Sequence, residues 1–103
     1  MSRMSAAKRG PGGSVEVRYF AAARAAAGQV KEERVILPFE EATREQFAAL
    51  LVSLHPEPPA GEPSLEQVLA QSTLLADGTA LASDEDRVRP GMRVDVLPPF
   101  AGG

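Results

Sequence analysis

Apolar and polar positions alternate along this chain with a period that changes from one segment to the next. Val15-Glu16-Val17-Arg18-Tyr19-Phe20 repeats every second residue, predicting a strand with Val15, Val17 and Tyr19 on one face. Ala21 to Ala27 has no such alternation and favours a short helical turn, which Gly28 can end as a left-handed cap. Glu33-Arg34-Val35-Ile36-Leu37 predicts a second strand, stopped by Pro38. Two strands joined this way are most simply an antiparallel pair.

The period then lengthens. Thr43-Arg44-Glu45-Gln46 has the form of a capping box, and Phe47, Leu50, Leu51 and Leu54 follow at spacings of three and four. Together they predict a helix that buries those four side chains and ends at Pro56. Residues 57–63 contain three prolines and read as loop. Ser64-Leu65-Glu66-Gln67 repeats the capping logic and opens a short helix to about Gln71. Two short apolar runs, Thr73 to Ala76 and Thr79 to Leu81, flank Asp77-Gly78, a two-residue hairpin signal. Ser83 to Asp86 is an acidic loop, and Pro90-Gly91 fits the centre of a type II turn. The final strand, Arg93 to Leu97, places Val94 and Val96 on one face and Arg93, Asp95 and Leu97 on the other.

A helix with one apolar stripe needs a sheet face to cover, and one helix covers one face only. The first and last strands can lie side by side in parallel, with the helical segment as part of the crossover. The expected class is therefore α+β, a β-grasp arrangement with a mixed sheet of four to five strands over one main helix.

Composition narrows the function. At 103 residues the chain is one domain with a thin core, its 44% apolar content diluted by alanine. With no cysteine it has no disulfide, thiolate nucleophile or cysteine metal site, and no metal ligand set is evident. No apolar run approaches the roughly 18 residues of a membrane span, and no apolar stretch marks a signal peptide, so a cytoplasmic location is expected. Residues 1–14 carry Arg3, Lys8 and Arg9 and no acid, and include Gly10-Pro11-Gly12-Gly13. They are expected to form a disordered leader before a domain spanning 15–103, and they do not make a phosphate-binding loop. The rest of the chain has eight basic and fourteen acidic residues. That balance argues against nucleic acid as the main partner and suits a basic protein surface, although an acidic surface also simply keeps a protein in solution; the lack of a long apolar run leaves no membrane partner expected. His55, the single histidine, is expected as a solvated residue at a helix end.

The chemistry concentrates in residues 98–103, expected as a flexible tail. Pro98-Pro99 makes a stiff extended step, and Phe100-Ala101-Gly102-Gly103 follows. Two residues without a Cβ can lie in a channel too narrow for side chains and present the Gly103 carboxylate to a partner's active site. Glycine is also merely permissive, and loose ends are common.

These features together resemble the small-subunit sulfur carriers of molybdopterin synthase, within the ubiquitin-like sulfur-carrier superfamily. The matching residues are Val17-Arg18-Tyr19-Phe20-Ala21 with Arg24, then Ala27-Gly28, the Asp77-Gly78 hairpin, the Pro90-Gly91 turn, and Val94-Asp95-Val96-Leu97-Pro98-Pro99-Phe100-Ala101-Gly102-Gly103. Asp77 and Met92 depart from the family's usual asparagine and aspartate. The resemblance implies that an E1-like adenylyltransferase uses ATP to adenylate Gly103, and that sulfur then replaces AMP to leave a thiocarboxylate. The large synthase subunit would receive the tail, with Gly102 beside the reacting group. The chain would be a carrier subunit, with no bound cofactor of its own.

The same resemblance implies that Phe100, Leu97, Arg24, Pro98, Pro99 and Ala101 meet the partners. Leu97 and Phe100 are expected to be exposed in the free chain, and an exposed aromatic is a typical interface anchor. Leu97 could equally be an ordinary surface leucine, and Arg24 a solvated loop arginine. Three alternatives stay open: a sulfur carrier for thiamine or cysteine synthesis, a ubiquitin-like modifier joined to target lysines, and a β-grasp interaction module with an inert tail.

Overall fold

The computed structural model describes residues 13–99, so most of the expected leader and the segment Phe100–Gly103 lie outside the described residues. Eight elements follow one another: β1 (Ser14–Tyr19), α1 (Ala21–Ala26), β2 (Glu32–Ile36), α2 (Arg44–Leu54), α3 (Leu65–Ala70), β3 (Thr73–Ala76), β4 (Thr79–Ala80) and β5 (Arg93–Leu97). The strands form one sheet in the order β2-β1-β5-β3-β4. β1 and β5 run parallel at its centre, with Val17 opposite Val94 and Tyr19 opposite Val96, and the other pairs are antiparallel. This mixed sheet, with its helices gathered on one face, is the expected β-grasp architecture.

Local chemistry explains the element boundaries. Both capping boxes form: the side chains of Thr43 and Ser64 accept from the N–H groups of Gln46 and Gln67, whose side chains accept in return from the cap N–H groups. Asp77 and Gly78 both take positive φ, +49° and +87°, as a tight hairpin between β3 and β4 requires. Gly91 has φ +94°, and the Met92 N–H donates to the Arg89 carbonyl at 3.2 Å, closing the predicted type II turn.

The core lies between the sheet and the helices. Val15, Val17 and Tyr19 of β1 and Val94 and Val96 of β5 are buried beneath Phe47 and Leu51 of α2 and Leu65 and Leu69 of α3. The α2 stripe differs from expectation: Phe47 and Leu51 are buried, Leu50 is half-buried, and Leu54 is 47% exposed. The inward line runs Phe47, Leu51, His55, each one helical turn after the last. His55 takes the place at the sheet that Leu54 was expected to fill.

His55 is correspondingly no solvated end residue. Its side chain is 16% exposed, and its Nε2 lies 2.7 Å from Glu33 Oε2. The same carboxylate oxygen accepts from the Tyr19 hydroxyl at 2.7 Å. The rings of Tyr19 and His55 meet edge to face, with centroids 5.8 Å apart. A buried hydroxyl and an imidazole are thus both hydrogen-bonded, which removes the cost of burying them unpaired.

Candidate functional site

The candidate site is the end of the sheet where β1 stops and β5 releases the tail. β5 is held on both edges, by β1 and by β3, so the point of departure is fixed by hydrogen bonds on two sides. The Phe20 N–H donates to the Val96 carbonyl at 3.3 Å, extending the parallel ladder to its last residue. Beyond it, Pro98 is half-buried and Pro99 exposed. Each has its φ fixed by its ring, so the chain leaves the fold in a restricted direction.

Leu97 is half-buried rather than substantially exposed. It pairs with Thr73 of β3, which covers one of its flanks. Phe20 and Leu97 each lie one residue past the Tyr19–Val96 pair, on the sheet face away from the helices. One step back on that face, Arg18 reaches Asp95 through two hydrogen bonds, Nε to Oδ1 at 2.8 Å and Nη2 to Oδ2 at 3.0 Å. The guanidinium also lies 5.6 Å from the centroid of the Phe20 ring. These hydrogen bonds, and then the charge of Asp95, hold Arg18 above the ordinary pKa of its side chain.

Arg24 sits in the last turn of α1 and is half-buried. Its Nε donates to the Tyr19 carbonyl at 3.3 Å, and its own carbonyl accepts from the Gln29 N–H at 2.8 Å. The arginine is therefore tied to the end of β1, at the same pole as Leu97 and Pro98. Ala21, which opens α1, has φ +50°, so the chain turns sharply as it leaves β1. The structure thus gathers Leu97, Arg24, Pro98 and Pro99 at one end, while Phe100, Ala101, Gly102 and Gly103 lie outside the described residues.

Elsewhere the sheet's open face carries a polar hollow lined by Glu16, Arg18, Arg34, Arg93 and Asp95, among others. Two charge pairs lie in it, Arg34 at 3.8 Å from Glu16 and Arg18 bound to Asp95, and the Asp77 carboxylate accepts from the Arg93 backbone N–H at 2.8 Å. Among the described residues no group of three or more histidine, aspartate or glutamate side chains is placed to hold a metal ion. No helix among them is long and apolar enough to cross a membrane.

Two features escaped the sequence reading. The Arg18–Asp95 pair needed the β1–β5 register, since both residues were already on the open face by alternation. The Tyr19–Glu33–His55 cluster needed the rotation of α2, for which the apolar stripe gave no signal.

No family model matches the sequence, and no curated protein matches it. Solved structures do. A putative molybdopterin converting factor, subunit 1, from Pyrococcus furiosus superimposes with a TM-score of 0.65 at 25% identity, over 84% of this chain and 98% of that one. The crystal structure of SAMP1 from Haloferax volcanii gives 0.64 at 24% identity, over 88% and 100%. A structure of the small archaeal modifier protein 1 of H. volcanii gives 0.62 at 22% identity, over 86% and 100%. The chain has the β-grasp fold, and its structural neighbours include a putative molybdopterin converting factor subunit and a small archaeal modifier protein.

Proposed function

We propose that this protein is a sulfur carrier whose Gly103 carboxylate is adenylated and converted to a thiocarboxylate for molybdopterin synthesis. The observation that carries the reading is where the central strand β5 ends: Pro98 and Pro99 leave it at the pole shared by Leu97 and Arg24, and Phe100-Ala101-Gly102-Gly103 follows in the sequence. The likeness to a putative molybdopterin converting factor subunit supports it.

The chemistry is consistent with this chain. A carboxylate is a poor electrophile. In the proposed first step a Gly103 oxygen attacks the α-phosphorus of ATP on an E1-like partner, and pyrophosphate leaves. Hydrosulfide supplied by a sulfur donor then attacks the acyl carbon, the C–O bond to AMP breaks and AMP leaves with the electron pair, and the S–H proton is lost to water. The product is a thiocarboxylate, a soft nucleophile that requires no cysteine on a chain that has none. The tail enters the large synthase subunit and gives up sulfur to a pterin precursor. The chain binds no cofactor in this scheme; its contribution is the terminal nucleophile and the surface that presents it. Leu97, Phe100 and Arg24 are the proposed contacts with both partners, in a cytoplasmic setting.

The test is intact mass after incubation with ATP, an E1-like enzyme and a sulfur donor. Replacement of one oxygen by sulfur at the Gly103 carboxyl is the expected product. A second reading, a ubiquitin-like modifier, is favoured by the likeness to the small archaeal modifier protein. It uses the same adenylate but passes the acyl group to a lysine amine, so covalent adducts on other proteins would distinguish it.

A further inference from the structure

The two edges of the sheet differ. β4 closes one with two residues, whereas β2 runs along the other with five, Glu32 to Ile36. Between β1 and β2 the hydrogen-bonded positions are the odd-numbered ones: the Tyr19 N–H donates to the Lys31 carbonyl at 2.9 Å, and the Leu37 N–H to the Gly13 carbonyl at 2.7 Å. In an antiparallel ladder the intervening positions point the other way. The N–H and C=O groups of Glu32, Arg34 and Ile36 therefore face away from β1, and among the described residues none of them has a hydrogen-bond partner. We propose that this edge pairs with the same edge of a second copy, β2 against β2, antiparallel and centred on Glu33.

The side chains select both the occupant and the register. Glu32, Arg34 and Ile36 lie on the sheet's open face and are exposed, Ile36 at 58%. For the free backbone groups to pair, even-numbered positions must oppose one another, which leaves few registers. Centring on Glu32 or on Arg34 sets that residue against its own charge. Centring on Val35 sets Glu32 against Pro38, which has no N–H to give. Centring on Glu33 sets Glu32 against Arg34 on both sides of the two-fold axis, two opposite-charge pairs. Arg34 is only loosely engaged by Glu16, 3.8 Å away, so its guanidinium is available for the exchange. Ile36 then comes level with Val30 of the second copy. The two Glu33 side chains lie on the other face, where each carboxylate is bound by its own Tyr19 hydroxyl and His55 ring at 2.7 Å. Neither is left without a partner where the strands meet.

Such a junction joins the two sheets edge to edge, with the helices of both copies on the same side. It uses one short strand from each chain, so the association is weak and reversible. β1 lies between β5 and the paired edge, and the two β5 strands end at opposite poles, each with its Leu97–Pro98 step clear of the junction. Nothing in this pairing depends on Gly103.

Sedimentation equilibrium of the full chain, from micromolar to millimolar concentration, reads the association, and amide exchange by NMR locates it. The mass should rise towards that of two chains, and the amides of Glu32, Arg34 and Ile36 should exchange more slowly as it does. Glu32→Arg and Arg34→Glu, both at exposed positions, should each weaken association by about tenfold or more, because like charges then meet at two places. Mixed in equal amounts, these two single variants should associate more tightly than either alone, since each supplies the charge the other lacks. A chain that stays monomeric throughout would overturn the proposal. So would a dimer whose edge amides exchange at an unchanged rate, because its contact lies elsewhere. Edge amides protected equally at every concentration would show that the chain covers its own edge, and would overturn it too. A mixture no tighter than its components would defeat the Glu32–Arg34 register and the proposal with it.

Discussion

Arg18 and Asp95 face each other across the two parallel central strands, joined by hydrogen bonds of 2.8 and 3.0 Å. The pair lies beneath Phe20 and Leu97 and ties the strand that releases the tail to its neighbour. Such a two-pronged pair gains from geometry as well as charge, but both side chains are partly open to water, which screens it. Asp95→Ala and Arg18→Ala should each lower stability modestly, with the double variant losing less than the sum. Urea unfolding at low and high salt checks this: the coupling should shrink as salt rises. Fully additive losses at low salt would show that the pair contributes nothing.

Tyr19 gives a prediction in pH. Burial first, and then the hydrogen bond and charge of Glu33, push its phenol well above its ordinary value of 10.0. A proton held more tightly in the folded state favours folding less as pH rises past the unfolded value. Stability should therefore be intact below about pH 10 and fall above it. Tyr19 is the single tyrosine, so phenolate absorbance reports it directly. Absorbance should appear together with unfolding, and Tyr19→Phe should flatten the alkaline loss. Phenolate formation near pH 10 in a chain that stays folded would contradict the burial.

The rotation of α2 predicts unequal costs along one helix. Leu51→Ala removes a fully buried side chain and should cost about 2–5 kcal/mol, whereas Leu54→Ala, at a largely exposed position, should stay within about 0.5 kcal/mol. Denaturant midpoints of the two variants decide it. Comparable losses would mean that Leu54 is packed after all.

Phe100→Ala should weaken binding to the E1-like enzyme or the large synthase subunit by about 1–3 kcal/mol, the range of an aromatic anchor. Titration calorimetry against each partner measures it. Thermal stability should change little. A large drop in melting temperature would show Phe100 to be a core residue and remove it from the interface.

Elements governed by neighbours in sequence were legible before the structure. Thr43 with Gln46, Ser64 with Gln67, Asp77-Gly78 and Pro90-Gly91 each act over four residues or fewer, and each formed as expected. The alternation of Val15, Val17 and Tyr19, and of Val94 and Val96, showed the buried faces of β1 and β5, and the helical segment between them, read as a crossover, allowed their parallel pairing. What eluded the sequence depends on contacts between distant segments. His55 is turned inward and partly buried because Glu33 and Tyr19 receive it, and an apolar count along α2 favours Leu54 instead. Leu97 is half-covered because β3 pairs beside it. At the candidate site, the tail motif and Arg24 were visible in the sequence, but the tie from Arg24 to the Tyr19 carbonyl arises only when α1 packs against the end of β1.

The central claim concerns the carboxyl group of Gly103, and a chain extended by one residue tests it most directly. Extension keeps Gly102, Gly103 and every described contact, and moves only the carboxylate. Intact mass should be followed for both chains with ATP, the E1-like enzyme and the sulfur donor. The native chain should exchange one oxygen for sulfur; the extended chain should not, while melting at nearly the same temperature. If the extended chain supports molybdopterin synthesis without being trimmed back to Gly103, the carboxylate is not the working group and the carrier assignment is wrong.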